Sequence, residues 1–272
     1  MPLRLSLRQV PPVPLEVEQV LPSVFRRVDR ADWPRLEVYL GKEKQTLGDW
    51  FDLAGTPDNE TVVWEGDLTR VHWIGAGLDT GRIEIDGSAG RHIGSEMTGG
   101  EIVVHGDAGN HLGAEMKGGR IVVHGSAGHL VGGAYRGSLL GMRGGEIIID
   151  GNAGNEVGHS MRRGLIAIAG DVGDLAGFAM RAGTIVVGGR AGIRHGAEMV
   201  RGSLVYLSDT SVSLLPTVRS GSVQQPVVLR LIAAHLEKTG FRHNRQWGSR
   251  PYRIHHGDFL AGGRGEFWIP AV

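Results

Sequence analysis

The chain has 272 residues, of which 45 are glycine, 11 proline and none cysteine, a glycine share more than twice the usual ~7%. Lysine plus arginine equals aspartate plus glutamate at 29 each, which lacks the basic excess of a nucleic-acid-coating protein. The missing cysteine excludes disulfides, thiolate zinc sites and iron–sulfur ligation by this chain.

The N-terminal stretch MPLRLSLRQVPPVP has no long apolar run behind its charges, so it is not read as a secretory signal. No run of roughly 18 apolar residues occurs anywhere, which excludes a spanning helix. The expectation is a cytoplasmic protein with no membrane and no nucleic-acid partner. Residues 1–60 carry no repeat and are predicted to form an N-terminal cap. Within it, the alternating run Leu3-Arg-Leu-Ser-Leu-Arg and the run Leu36-Glu-Val-Tyr-Leu are strand candidates, followed by LGDWFDLAG from Leu47 to Gly55.

From Gly81 the chain repeats itself. GRIEIDGSAGRHIGSEMTG is followed by related turns beginning at Gly100, Gly119, Gly145, Gly164 and Gly183. The steps are 19, 19, 26, 19 and 19 residues, and the long step is read as an insertion SLLGMRG at Ser138 to Gly144. A degenerate earlier turn spans Val71 to Gly81, where Ile74, Gly75 and Leu78 match Ile93, Gly94 and Met97, and Gly202 opens a final partial turn. Within each turn x-[IV]-x-[IV]-x-G alternates with period 2, the signature of a strand. One such turn cannot bury its own apolar side chains, so successive turns must stack like on like.

The columns follow directly. Ile83, Ile102, Ile121, Ile147, Ile166 and Ile185 form one interior column, and Ile85, Val104, Val123, Ile149, Ile168 and Val187 the next. Ile93, Leu112, Val131 and Val157 line a second wall; Met97, Met116, Met161, Met180 and Met199 line a third. The predicted fold is an all-β solenoid: a right-handed parallel β-helix of about seven 19-residue turns over residues 61–207, roughly 30 Å long at ~4.8 Å per rung. A nucleotide-binding G-x-G-x-x-G is rejected because the glycines recur in every turn and no helix follows. A hexapeptide β-helix is rejected because the period is 19 and not 18. Residues 208–272 complete the chain. Pro226 to Thr239 reads as an amphipathic helix with Val228, Leu231, Ile232, His235 and Leu236 on one face and Gly240 as a stop. The tail RIHHGDFLAGGRGEFWIP is expected to fold onto the solenoid or a neighbour.

Recurring G-x-[IV]-x-[IV]-x-G-x-A-G-x-x-x-G-x-x-M turns from about Val71 to Tyr206 resemble the C subunit of formylmethanofuran dehydrogenase and the related C-terminal domain of glutamate synthase large chains. The flanking LGDWFDLAG and HHGDFLAGGRGEFWIP favour the first. The resemblance implies a scaffold subunit whose chemistry resides in other subunits. Two complexes use such a subunit: an archaeal tungsten or molybdenum enzyme, and a bacterial formyltransferase/hydrolase. The latter moves a formyl group from tetrahydromethanopterin to a methanofuran-type carrier; the arginine content leans towards it. The competing readings are a glutamate-synthase-type module of an amidotransferase system and a carbohydrate-active β-helix enzyme.

No catalytic constellation emerges from the residues. His92 and His111, like His105 and His124, lie one period apart and should stack, but a metal site needs three or four ligands, so no metal is assigned. The outward acids Asp86, Asp107, Asp150 and Asp171 are scattered, and no serine sits at a strained strand-to-helix turn. Two surfaces stand out. Between the interior columns, Val103, Val122, Ile148, Ala167 and Val186 form an apolar outward stripe, which marks a covered surface; the candidates to cover it are a partner subunit and the chain's own C-terminal helix. The ladder methionines are followed by Thr98, Lys117, Arg162, Arg181 and Val200, and Tyr135 by Arg136, so in four consecutive turns Lys117, Arg136, Arg162 and Arg181 are expected in register along one corner. Like charges stacked at rung spacing repel, so these four residues are candidates to bind the glutamate-rich tail that the resemblance implies for a methanofuran-type carrier. Pairing with Glu96, Glu115 and Glu198 is the alternative.

Overall fold

The computed structural model describes residues 1–56, 60–243 and 245–271. The chain is mostly β, with few helices. Among the described residues one large sheet runs, in spatial order, from Arg219–Gln224 through Tyr252–Gly257, Arg264–Pro270, Arg201–Tyr206, Thr184–Val187, Arg163–Ile168, Arg143–Ile149, Arg120–Val123, Glu101–Val104, Arg82–Asp86, Thr61–Glu65 and Leu3–Leu7 to Phe51–Ala54. From Leu3–Leu7 to Arg264–Pro270 every neighbouring pair is parallel; only the outermost pairings are antiparallel. A second column of parallel bridges joins Leu68, Ala89, Ala108, Ala127, Ala153, Val172 and Ala191. That is the stacking a β-helix-like solenoid requires.

Register follows the side chains. Ile102 pairs with Ile83 and Ile121, and Ile147 with Ile121 and Ile166, so each β-branched residue rests on its counterpart. Both strand columns, the Ile93–Leu112–Val131–Val157 wall and the methionines are fully buried. Burial of each such side chain stabilises by ~1.5–3 kcal/mol.

The glycines and short polar residues of G-x-A-G-x have a second purpose. Asp107 Oδ1 accepts the Ser126 N–H (2.7 Å), Asn152 Oδ1 the Asp171 N–H (2.8 Å) and Asp171 Oδ1 the Arg190 N–H (2.7 Å). Three residues along, Asn110, Asn155 and Asp174 do the same for His129, Asp174 and Ile193. Each short side chain thus bonds the backbone of the next turn, an inter-turn version of the local competition that keeps Asn and Asp out of regular elements. Asp107 and Asp171, scattered acids by sequence, are rungs of this ladder. The hydrogen bond from the Arg190 N–H holds the Asp171 carboxyl below its ordinary range.

The long turn departs from expectation. In the other repeats the wall glycine and the methionine are three residues apart, as in Gly113 and Met116; here Gly132 is followed by Met142, whose N–H bonds the Gly132 carbonyl as Met116 bonds Gly113. The seven extra residues therefore lie between Gly132 and Met142, not at Ser138 to Gly144. Met142 fills the methionine column, and a Cβ on Gly164 in the next turn would meet its Cε at 2.7 Å. A tyrosine there would bury its hydroxyl in an apolar column.

At the N-terminal end, Leu3–Leu7 stacks on Thr61–Glu65 and a small sheet of Glu43–Thr46, Glu37–Leu40, Leu15–Glu16 and Val71–His72 closes the side. At the other end Arg264–Pro270 continues the parallel ladder beyond Arg201–Tyr206, and the helix Val227–Lys238 lies against the outside of the sheet through Leu229, Ala233 and Leu236. Of the face expected from the sequence only Leu236 is buried, and Val228, Leu231 and His235 are exposed.

Candidate functional site

The apolar stripe is closed by the chain itself. Ile148, Ala167 and Val186 pack in one buried cluster with Leu229, Ala233 and Leu236 of the C-terminal helix, together with Val205, Trp247, Tyr252 and Trp268. The stripe is therefore not open to a partner at these residues, and the candidate cover that operates is the helix. Val103 and Val122, 6% and 8% exposed, lie outside this cluster.

Two charged ladders flank the strands, and they differ. On one, Arg82 bridges Glu84 and Glu101, Arg120 bridges Glu101 and Glu146, and His235 Nε2 of the C-terminal helix lies 2.5 Å from Glu146 Oε2. Burial would raise the Glu146 carboxyl, but hydrogen bonds from His235 and Arg120 outweigh it and hold it below the ordinary range. Cations and acids alternate, so the ladder is internally compensated.

The basic corner is compensated only at Lys117. The N–H groups of Lys117, Arg143, Arg162 and Arg181 bond the methionine carbonyls of the preceding turn, Met97, Met116, Met142 and Met161, at 2.7–2.8 Å. Arg143 thus occupies the place expected for Arg136, which the insertion carries out of register. Lys117 pairs with Glu96 at 3.3 Å. Among the described residues no ion pair forms at Arg136, Arg143, Arg162 or Arg181. Arg143 Nε is buried without a hydrogen-bond partner. Glu115, the expected internal partner, instead accepts the Tyr135 N–H.

The insertion also builds a cluster that the sequence did not reveal. Trp73, His92 and His111 occupy equivalent corners of three turns, all with left-handed backbone (φ 65°, 64° and 62°). Their rings stack, 4.1 Å from Trp73 to His92 and 4.9 Å from His92 to His111. Tyr135 folds back across two turns to lie beside them, its hydroxyl 2.8 Å from Ser95 Oγ and 3.0 Å from His92 Nδ1. Desolvation, then the neighbouring His111, lowers the His92 imidazole to about 4, and burial pushes the Tyr135 phenol up to about 12. Neutral rings can stack at this spacing; imidazolium ions would repel. The one-period spacing of His92 and His111 was the visible signal, and Tyr135 was hidden because its partners lie about 40 residues away. His105 and His124 also stack, at 5.5 Å, and His124 Nδ1 meets the nearly buried Asp150 carboxylate, which Arg242 also reaches. Among the described residues no three histidine or carboxylate side chains gather around a common metal position, and no helix is long and apolar enough to cross a membrane.

The glycine-punctuated, mainly parallel β stack is that of a GXGXG-motif protein: that family's model matches residues 66–248, and the chain belongs to the family. Within it, this chain is similar to the C subunits of formylmethanofuran dehydrogenases. That of the molybdenum-containing formylmethanofuran dehydrogenase 1 of Methanothermobacter thermautotrophicus is 44% identical over 79 residues, 29% of this chain and 20% of that one. That of the tungsten-containing formylmethanofuran dehydrogenase 2 of Methanothermobacter marburgensis is 36% identical over 93 residues, 33% of this chain and 34% of that one. The chain thus matches only a fifth to a third of the length of these relatives. Over its full length it is similar to a chain in the crystal structure of the formyltransferase/hydrolase complex (FhcABCD) from Methylorubrum extorquens in complex with methylofuran. There the TM-score is 0.89 and the identity 32%, covering 99% of this chain and 100% of the other.

Proposed function

We propose that this chain is a scaffold subunit of a cytoplasmic formyl-transfer complex, in which a formyl group passes between tetrahydromethanopterin and a methanofuran-type carrier at sites on other subunits. The observation that carries the reading is the end-to-end similarity to a chain of a formyltransferase/hydrolase complex; the dehydrogenase relatives match only in part. In this reading the solenoid is a right-handed parallel β-helix of about seven turns, the hand that parallel crossovers almost always take, with residues 1–60 and 208–272 serving as its ends.

The basic corner is the place for the carrier's acidic tail. Lys117, Arg162 and Arg181 remain the candidates, joined by Arg143 in the position first given to Arg136. Guanidinium forks bind carboxylates in pairs, and the mutual repulsion of Arg143, Arg162 and Arg181, unlike that of Lys117 with its Glu96 partner, is relieved by an extended anion. Affinity purification of the tagged chain from its host tests the subunit reading: formyltransferase and amidohydrolase-like subunits should accompany it, and their absence overturns it. Arg162→Glu with Arg181→Glu should lower carrier content in a salt-dependent way without dissociating subunits. Unchanged carrier content removes the basic corner from the account.

A further inference from the structure

We infer that the exposed edge strand Arg219–Gln224 and the outer face of the C-terminal helix form one docking surface for an extended segment of another subunit, with apolar and acidic residues alternating. This rests on the reading of the chain as a subunit.

The two edges of the large sheet are treated differently. At the N-terminal edge, Phe51–Ala54 carries Asp52, which Arg8 clamps at 2.8 Å. Inward charge and ion pairs are common guards against edge pairing. At the other edge, Arg219–Gln224 is hydrogen-bonded on one side only, to Tyr252–Gly257. Its sequence is Arg-Ser-Gly-Ser-Val-Gln, with no proline and no acid, and five of its six residues are exposed. Such an edge offers a row of unpaired backbone donors and acceptors.

Apolar surface adjoins it. Val223 is 46% exposed, Val227 68%, Val228 46% and Leu231 68%. Val227, Val228 and Leu231 are spaced by three and four residues, so they share one helix face. The opposite face, Leu229, Ala233 and Leu236, is already buried on the sheet. The first two turns of the helix are thus apolar on both faces, the pattern of a helix covered on both sides. Strand addition explains the combination: main-chain bonds to the edge supply affinity, and alternate side chains of the incoming strand reach the apolar patch. The charge of the incoming segment follows from the local composition. The strand and the first two turns of the helix carry Arg219 and Arg230 and no acid, the first one after them being Glu237 in the last turn, and Arg253 stands exposed opposite Val223. An acidic segment is complementary to this surface and a basic one is repelled.

Hydrogen exchange on the purified native complex and on the isolated full-length chain tests the inference. In the complex, amides within 219–231 should exchange at least tenfold more slowly, and Val227→Asp with Leu231→Asp should abolish that difference while leaving protection of the solenoid strands unchanged. Equal exchange in complex and isolated chain overturns the proposal while leaving the subunit reading intact. Protection that appears in the isolated chain and grows with concentration also overturns it, because the occupant is then a second copy. Failure to recover any complex is a failure of the subunit reading itself and is seen at the purification step.

Discussion

Gly109→Ala separates stacking from backbone conformation as the reason for the glycines inside each turn. Gly109 does not need a left-handed φ, so on conformational grounds alone alanine should stabilise by ~0.4–1 kcal/mol through the unfolded chain. The structure argues the opposite sign. A Cβ there would stand 2.6 Å from the Gly90 carbonyl oxygen and 2.7 Å from its carbon. Those atoms belong to the turn below, which Gly109 already engages by donating its N–H to Gly90 at 2.9 Å. Neither neighbour is a flexible side chain, so the two turns must part, at the ~1–3 kcal/mol typical of overpacking. The expected net loss is about 1–2 kcal/mol, read as a lower midpoint in urea unfolding of the isolated chain. Gly137→Ala is the control: it has φ 88° but nothing within 4 Å of its Cβ position, so it reports the conformational cost alone, ~1 kcal/mol. An unchanged or raised midpoint for Gly109→Ala would refute the stacking argument.

Three further outcomes are expected. Tyr135→Phe should destabilise by ~1–2 kcal/mol, because it strips the hydroxyl from Ser95 and His92; an unaltered midpoint shows that the insertion is not braced there. His92 protonates near 6.5 when unfolded but only at about 4 when folded, so stability should fall as the pH drops through that interval. His92→Asn should make the fall shallower by up to one proton, measured from unfolding midpoints across the range. Glu146 is depressed in the fold, so its contribution is present above the unfolded value of 4.5 and disappears as the pH falls through the folded one. Glu146→Gln should therefore cost ~0.5–1 kcal/mol near neutrality and nothing in strong acid, and a pH-independent difference contradicts the ion-pair account.

Much of the stack was legible because the period is strict. Every residue of the two strand columns, from Ile83 to Val187, was identified from spacing, since an interior that repeats every 19 residues leaves no choice of face. The long turn was not, because AYRG and GMRG both fit the place of EMKG. The decision belongs to packing: Met142 can fill an apolar column, whereas Tyr135 needs partners for its hydroxyl and finds them two turns away. One misplaced insertion moved Arg136 into the basic corner and left Arg143 out. The cover on the apolar stripe was also undecidable locally, because a helix far along the chain can lie over any rung. The paired ladder of Arg82, Glu101, Arg120 and Glu146 could have been read from alternating charge one period apart, as could the Asn and Asp positions that bond the next turn.

The central claim is that this chain organises a formyl-transfer assembly without performing the transfer. The direct measurement is formyl exchange between formyl-tetrahydromethanopterin and a methanofuran-type carrier, using the purified complex, the chain alone, and the remaining subunits without it. The account predicts activity in the complex, none in the chain alone, and loss of assembly together with activity when the chain is omitted. Formyl transfer by the isolated chain, or full activity and intact assembly without it, would contradict the account.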